Sequence, residues 1–357
     1  MKTSYCQCGN RIFFENTQCQ SCKSELGFLS DEGILSSITS IDANHWQSTT
    51  NNHTYRKCKN YVDHTGCNWM IADGDPQHFC PSCRLSEIIP DLNKAENIVR
   101  WNRIERAKRR LIYTLFWLEL PIKDKTVDPQ NGLAFHLMED QIHYSEFAAF
   151  LPEHSRITTG HVGGVITLNI EEADPVVREE IRKQMQERYR TLLGHLRHES
   201  GHYYWSKVVN SAELVNEFKS LFGDHQADYS NALQRYYDNG PDSNWQTNYI
   251  SAYACAHPME DWAECWAHYL HMIDTMETAY DFETPISANE IIKNGQRFDK
   301  NFLASVEIKE LIDHWSYLSM SLNEMNRSMG LADAYPFFIS SIVTKKIAFI
   351  HKVITCR

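Results

Sequence analysis

No stretch of this sequence stays apolar for the ~18 residues a membrane-spanning helix needs. Its first residues, Met1-Lys-Thr-Ser-Tyr-Cys6, also lack the apolar core of a secretory signal. The expectation is a cytoplasmic protein with no membrane partner. Positive charge is in deficit too, with 35 Lys and Arg against 46 Asp and Glu and a formal net charge of −11. Gripping a phosphate backbone requires a concentrated basic surface, so the balance disfavours nucleic acid as a partner. The one basic run, Arg106-Ala-Lys-Arg-Arg110, alternates with apolar residues and reads as the solvated face of a helix. There is no internal repeat and no low-complexity tract. At 357 residues the chain has room for a large domain and a small one.

Cysteine is plentiful but unevenly placed, and eight of the 11 fall within the first 83 residues. Cys6-x-Cys8 and Cys19-x-x-Cys22 have the layout of two knuckles facing each other across a tetrahedral ion. Cys58, Cys67, Cys80 and Cys83 form a second set, with Pro81 inside the final C-x-x-C. In a reducing compartment this pattern reads as zinc rather than cystine. Four thiolates close every coordination position, so both sites are expected to be structural. The loops between the cysteines are rich in Asn, Gly and Asp, and this segment is expected to rely on metal in place of an apolar core. Cys255, Cys265 and Cys356 stand apart and read as buried thiols.

The segment Arg84 to Asn93 reads as the exit from this module, giving a ribbon domain over 1–88 and a second domain over 89–357. Residues 95–118 carry Ile98, Trp101, Ile104, Ala107, Leu111, Leu115 and Leu118 at helical intervals, a connecting helix (89–120) expected to pack on the larger domain. Gly163-Gly-Val-Ile-Thr-Leu-Asn-Ile170 reads as a strand. The fold class is α+β: a β-rich, metal-stabilised ribbon, then a mainly helical domain with a short sheet beside the helix that follows.

That helix holds His198-Glu199-Ser200-Gly201-His202. Residues i and i+4 share a helix face, so His198 and His202 can hold one Zn²⁺ while Glu199 takes the proton of the attacking water. The chemistry suggested is hydrolysis of an amide. A catalytic zinc uses three protein ligands plus water. The metzincin arrangement is excluded, because Val208 stands where its third histidine belongs. Asp228 is one candidate for the missing ligand. A better one lies in His257-Pro-Met-Glu-Asp-Trp-Ala-Glu264: Pro258 suits a first helical turn, and Glu260 and Glu264 then share one face. Glu260 is assigned as third ligand and Glu264 as the group bonding the free ring nitrogen of a ligating histidine, with the roles exchangeable. Small alanines on that face permit close packing against the histidine helix.

The sequence resembles the bacterial zinc-binding metallopeptidases that carry an amino-terminal zinc ribbon. The resemblance rests on the ribbon cysteines, on Gly194-His-Leu-Arg-His-Glu-Ser-Gly-His-Tyr-Tyr-Trp205, on His257 to Glu264, and on Asn323-Glu-Met-Asn-Arg-Ser-Met-Gly330 with Tyr335-Pro-Phe337. It implies a zinc-dependent peptidase acting on peptide or isopeptide bonds, with one catalytic and two structural zinc ions. More distantly, Glu260-x-x-Ala-Glu264 after the histidine motif is similar to gluzincins of the lethal-factor type. There a tyrosine two turns before the ligating glutamate steadies the oxyanion, and Tyr253 stands at the matching place. Asn326, Arg327 and Tyr335 either reach the cleft or pin the carboxy-terminal helices. A rival reading is a catalytically silent, zinc-stabilised module that binds a partner protein.

Overall fold

The computed structural model describes residues 2–140, 157, 159–185, 187–284 and 298–356. The chain divides into two compact units, the first Met1–Phe116 with Pro121–Glu179, the second Trp117–Leu120 with Glu180–Arg357. The sequence boundary at residue 88 falls at the end of a strand within the first of these.

The first unit begins with a two-stranded ribbon, β1 (Ser4–Tyr5) and β2 (Arg11–Ile12). A closed barrel follows, built from β3 (Leu26–Leu29), β4 (Ile34–Ser40), β5 (Trp46–Ser48), β6 (Thr54–Lys57) and, after the short α1 (Lys59–Val62), β7 (Trp69–Ala72). Each strand runs antiparallel to the one before it. With five strands the first and last therefore point the same way, and the closing pair β3–β7 is parallel. At that closure a Cβ on Gly27 would stand 2.5 Å from the Met70 side chain, so a larger residue would have to displace that methionine.

The expectation that this segment lacks an apolar core is overturned. Leu26, Phe28, Leu35, Tyr55, Trp69 and Met70 are all buried. Their burial supplies stability in addition to any metal. α2 (Ala95–Trp117) spans the predicted interval but closes the core of this first unit, setting Tyr113 against Phe14 at 5.4 Å between ring centroids. Gly66 meets Trp101 and Asn102 so closely that a Cβ there would overlap both. The basic run on α2 is not uniformly solvated. Lys108 is buried and bonds Glu105 at 2.8 Å, and Arg109 is buried and donates to the Gly66 carbonyl.

A four-stranded sheet completes the unit in the order β10 (Gly160–Val162), β11 (Val165–Asn169), β9 (Ala134–Met138), β8 (Ser86–Ile88). The predicted strand at 163–170 is β11, and Gly163 and Gly164, both at positive φ, form the hairpin turn before it. Three of the sheet's four strands, β9, β10 and β11, come from the segment 89–357, as expected of a mainly helical domain with a short sheet, and all four lie in the first compact unit. α3 (Pro175–Gln184) follows.

The described residues of the second unit contain no strand. They form α4 (Leu192–Val208), α5 (Ala212–Phe222), α6 (Tyr229–Asn239), α7 (Trp245–Asn248), α8 (Pro258–Asp281), α9 (Lys300–Ser305), α10 (Ile308–Ser328) and α11 (Ser341–Thr355). α8 is buried along most of its length. α11 is fastened to it by the buried pair Lys346–Asp261, and the loop after α10 by the Tyr335 hydroxyl, 2.8 Å from His268 Nδ1. Asn326 and Arg327 tie that loop to the end of α10 through the Ala332 carbonyl and Asp333.

Candidate metal centre

Thr191 starts α4, its hydroxyl accepting the Gly194 N–H at 3.0 Å, and the following turns carry His198, Glu199 and His202. α8 starts at His257, whose Nδ1 accepts the Met259 N–H at 3.1 Å, with Pro258 in the first turn as its position predicted. Gly201 lets the two helices approach: its missing Cβ would lie 3.0 Å from the Ala263 Cα. Trp262 Nε1 donates to the Gly201 carbonyl at 2.8 Å, and Trp266 Nε1 to the Ser200 hydroxyl at 3.1 Å. The two middle residues of the histidine motif thus serve the packing, and its outer residues are left to the site.

This contact brings His198, His202 and Glu260 together, with one potential ligand atom from each within 4.8 Å of the others. His198 Nε2 lies 3.2 Å from His202 Nε2 and 3.0 Å from Glu260 Oε2, and His202 Nε2 lies 3.4 Å from Glu260 Oε1. Ligands ~2.0–2.1 Å from a tetrahedral zinc stand roughly 3.3 Å apart, so the His198–His202 and His198–Glu260 Oε2 edges suit that ion. Glu264 Oε1 lies 2.7 Å from His198 Nδ1. A proton on Nδ1 donated to this carboxylate leaves the Nε2 lone pair facing the centre. The Tyr253 ring lies 6.0 Å from that of His198. Asp228 is elsewhere engaged, capping α6 by accepting the Asn231 N–H at 3.0 Å.

The electrostatics are those of a cation site. Burial alone would depress His198, but hydrogen bonds to Glu260 and Glu264 outweigh it and raise its pKa well above the ordinary imidazole value. Glu260 is almost wholly buried, which opposes ionisation, yet bonds to both histidines hold its carboxyl well below the usual range. Glu264 is brought down to about 2, burial again opposing and His198 prevailing. Buried carboxylates of this kind attract either protons on the imidazoles or one divalent cation, and binding the cation releases the protons. Burial and the charge of Glu260 push the Tyr253 phenol far up, so it keeps its proton.

The eight ribbon cysteines form two further groups in the first unit. Cys6 Sγ is 3.4 Å from Cys22 Sγ and Cys8 Sγ 3.8 Å from Cys19 Sγ, while Cys67 and Cys80 sulfurs are 3.8 Å apart in a group completed by Cys58 and Cys83. Thiolates ~2.3 Å from a tetrahedral zinc are separated by about 3.8 Å, so both sets fit the ion. The first knuckles turn through positive-φ residues, Gly9 and Lys23. In the second group the N–H groups of Trp69, Cys80 and Cys83 each donate to a cysteine sulfur. Of the outlying thiols Cys265 is buried as expected, Cys255 is partly covered, and Cys356 is exposed, contrary to expectation.

Residues 97–353 match the family described as "Putative zinc-binding metallo-peptidase", and residues 4–94 match a zinc-ribbon domain. The chain belongs to this metallopeptidase family. Uncharacterized proteins of Mycobacterium bovis and of two strains of Mycobacterium tuberculosis are each 40% identical over 357 residues, covering 99% of this chain and 95% of theirs. No solved structure matches it. No helix among the described residues is long and apolar enough to cross a membrane.

Two neighbours of the site escaped sequence reasoning. His195 Nε2 stands 3.4 Å from Glu199 Oε1, a contact its i−4 position allows. Burial works against ionisation of Glu199, but the bond to His195 and the charges of the surrounding histidines lower its pKa. The Tyr229 hydroxyl donates to Glu260 Oε1 at 2.7 Å. Its only signal in the sequence was its place beside the candidate Asp228.

Proposed function

We propose that the chain is a one-zinc peptidase whose catalytic portion lies within 89–357, with His198, His202 and Glu260 as the metal ligands and Glu199 as the general base. The observation that carries this reading is the convergence of those three ligand groups from two helices, with Glu199 beside them on α4. When bound, zinc would polarise the scissile carbonyl and bring the pKa of the attacking water toward neutrality. Glu199 then accepts one proton of that water and returns it to the leaving nitrogen as the C–N bond breaks, so that an amine and a carboxylic acid separate. Its depressed pKa keeps it ionised for the first of these steps. Tyr253, protonated and beside His198, donates to the oxygen on which charge develops. Glu264 fixes the ring of His198 through Nδ1.

The substrate is a peptide or protein, cut at a peptide or isopeptide bond. The two cysteine groups hold structural zinc, and the ribbon docks a partner or braces the fold. Counting metal together with turnover on a peptide library tests the assignment. Three zinc ions per chain, matching the three ligand groups, with hydrolysis lost on selective removal of one, is the expected result. Two ions and no hydrolysis would support a binding module in place of an enzyme.

A further inference from the structure

Glu260 presents its two carboxylate oxygens to different partners. Oε2 lies 3.0 Å from His198 Nε2, whereas Oε1 accepts the Tyr229 hydroxyl at 2.7 Å and stands 3.4 Å from His202 Nε2. A carboxylate with both oxygens free can chelate a zinc ion through the pair and fill the position that an attacking water needs. From this geometry we infer that Tyr229 is a positioning residue for the metal centre, holding Oε1 so that Glu260 binds through Oε2 alone. The inference rests on the assignment of Glu260 as a zinc ligand.

The fold places Tyr229 for this task by a contact that spans two helix starts. Tyr229 is the first residue of α6, just after the capping Asp228. The carbonyl of Ala227, two residues earlier, lies 3.1 Å from His257 Nε2, and His257 is the cap of α8. Because Nδ1 of His257 accepts from Met259 N–H, its Nε2 carries the proton and donates to Ala227. The Tyr229 ring rests against that imidazole at 5.1 Å between centroids. One histidine therefore ties the donor's helix start to the acceptor's, and the hydroxyl reaches a carboxylate that is 1% exposed although the tyrosine itself is 43% exposed. Burial and the charge of Glu260 keep the phenol protonated, as a donor must be.

The test is the affinity of the third zinc in the full-length protein, with Tyr229→Phe compared with the parent and with Tyr253→Phe. Phe keeps the ring on His257 and removes only the hydroxyl. Competition with a weak chelator should show the third zinc held roughly 10–100-fold more weakly in Tyr229→Phe, with the ribbon zincs, and the melting temperature of protein stripped of the third zinc, unchanged, and Tyr253→Phe should bind zinc like the parent. A second readout follows exchange of that zinc for Co²⁺. The visible band of Tyr229→Phe should weaken as the ion gains a fifth ligand, which a merely structural role for the tyrosine would not produce. Unchanged affinity and an unchanged cobalt spectrum in Tyr229→Phe would overturn the inference while leaving the zinc assignment standing. A parent that holds only two zincs would overturn both.

Discussion

Gly201 of α4 and Ala263 of α8 face each other so closely that a Cβ on Gly201 would come within 3.0 Å of the Ala263 Cα and 3.2 Å of Trp266. The glycine that separates Glu199 from His202 in the chain thus sets the distance at which Glu260 can meet the two histidines.

Enlarging that residue should separate the helices. In Gly201→Ala the tight contact is opposed by a gain of about 1 kcal/mol in helix propensity, giving a small net change. Gly201→Val adds branched bulk against backbone and should cost roughly 1–3 kcal/mol. Thermal melting with zinc analysis checks this: Val is expected to lower both stability and occupancy of the third site, and parental values for both would refute the packing argument.

The two cysteine groups should release metal in order. Cys8 and Cys22 are exposed, while all four thiols of the second group are buried beside Arg109 and the Glu105–Lys108 pair. Zinc held by the first group is expected to transfer faster to a colorimetric chelator, and Cys80→Ser to destabilise the first unit more than Cys8→Ser. Equal release rates in the two single variants would go against this ordering.

Acid should weaken the second unit through its buried histidines. Burial brings His268 down to about 4 and lowers His271 and His351 as well. A depressed folded-state pKa contributes stability that is complete above the unfolded value of ~6.5 and is lost as pH falls toward the folded one. The unfolding free energy from urea titrations should therefore decline between pH 6.5 and 4, by a few kcal/mol in total. His268→Gln, which can still bond the Tyr335 hydroxyl, should flatten that decline; an undiminished slope would remove His268 from the explanation.

The parts of the site that were readable in sequence are those set by local periodicity. His198 and His202 share a face at i and i+4, Glu260 and Glu264 do the same, and Pro258 marks where the second helix begins. Tyr229 was not readable because its approach to Glu260 depends on His257 bonding Ala227, a link across 30 residues. The barrel was missed because its strands are three to seven residues long and separated by polar loops, so Phe28 and Trp69 show their shared core only after closure. Lys108 and Arg109 looked solvated because spacing alone does not reveal a buried carboxylate or thiol group waiting across the helix.

The most direct test of the account is the Glu199→Gln variant, with zinc content and peptide-library turnover measured on the same preparation. The amide cannot accept the water's proton but leaves the proposed ligands His198, His202 and Glu260 in place. Retention of all three zinc ions with turnover reduced by roughly 10²–10⁴-fold or more is the predicted result. Turnover at the parental rate with the metal intact would contradict it.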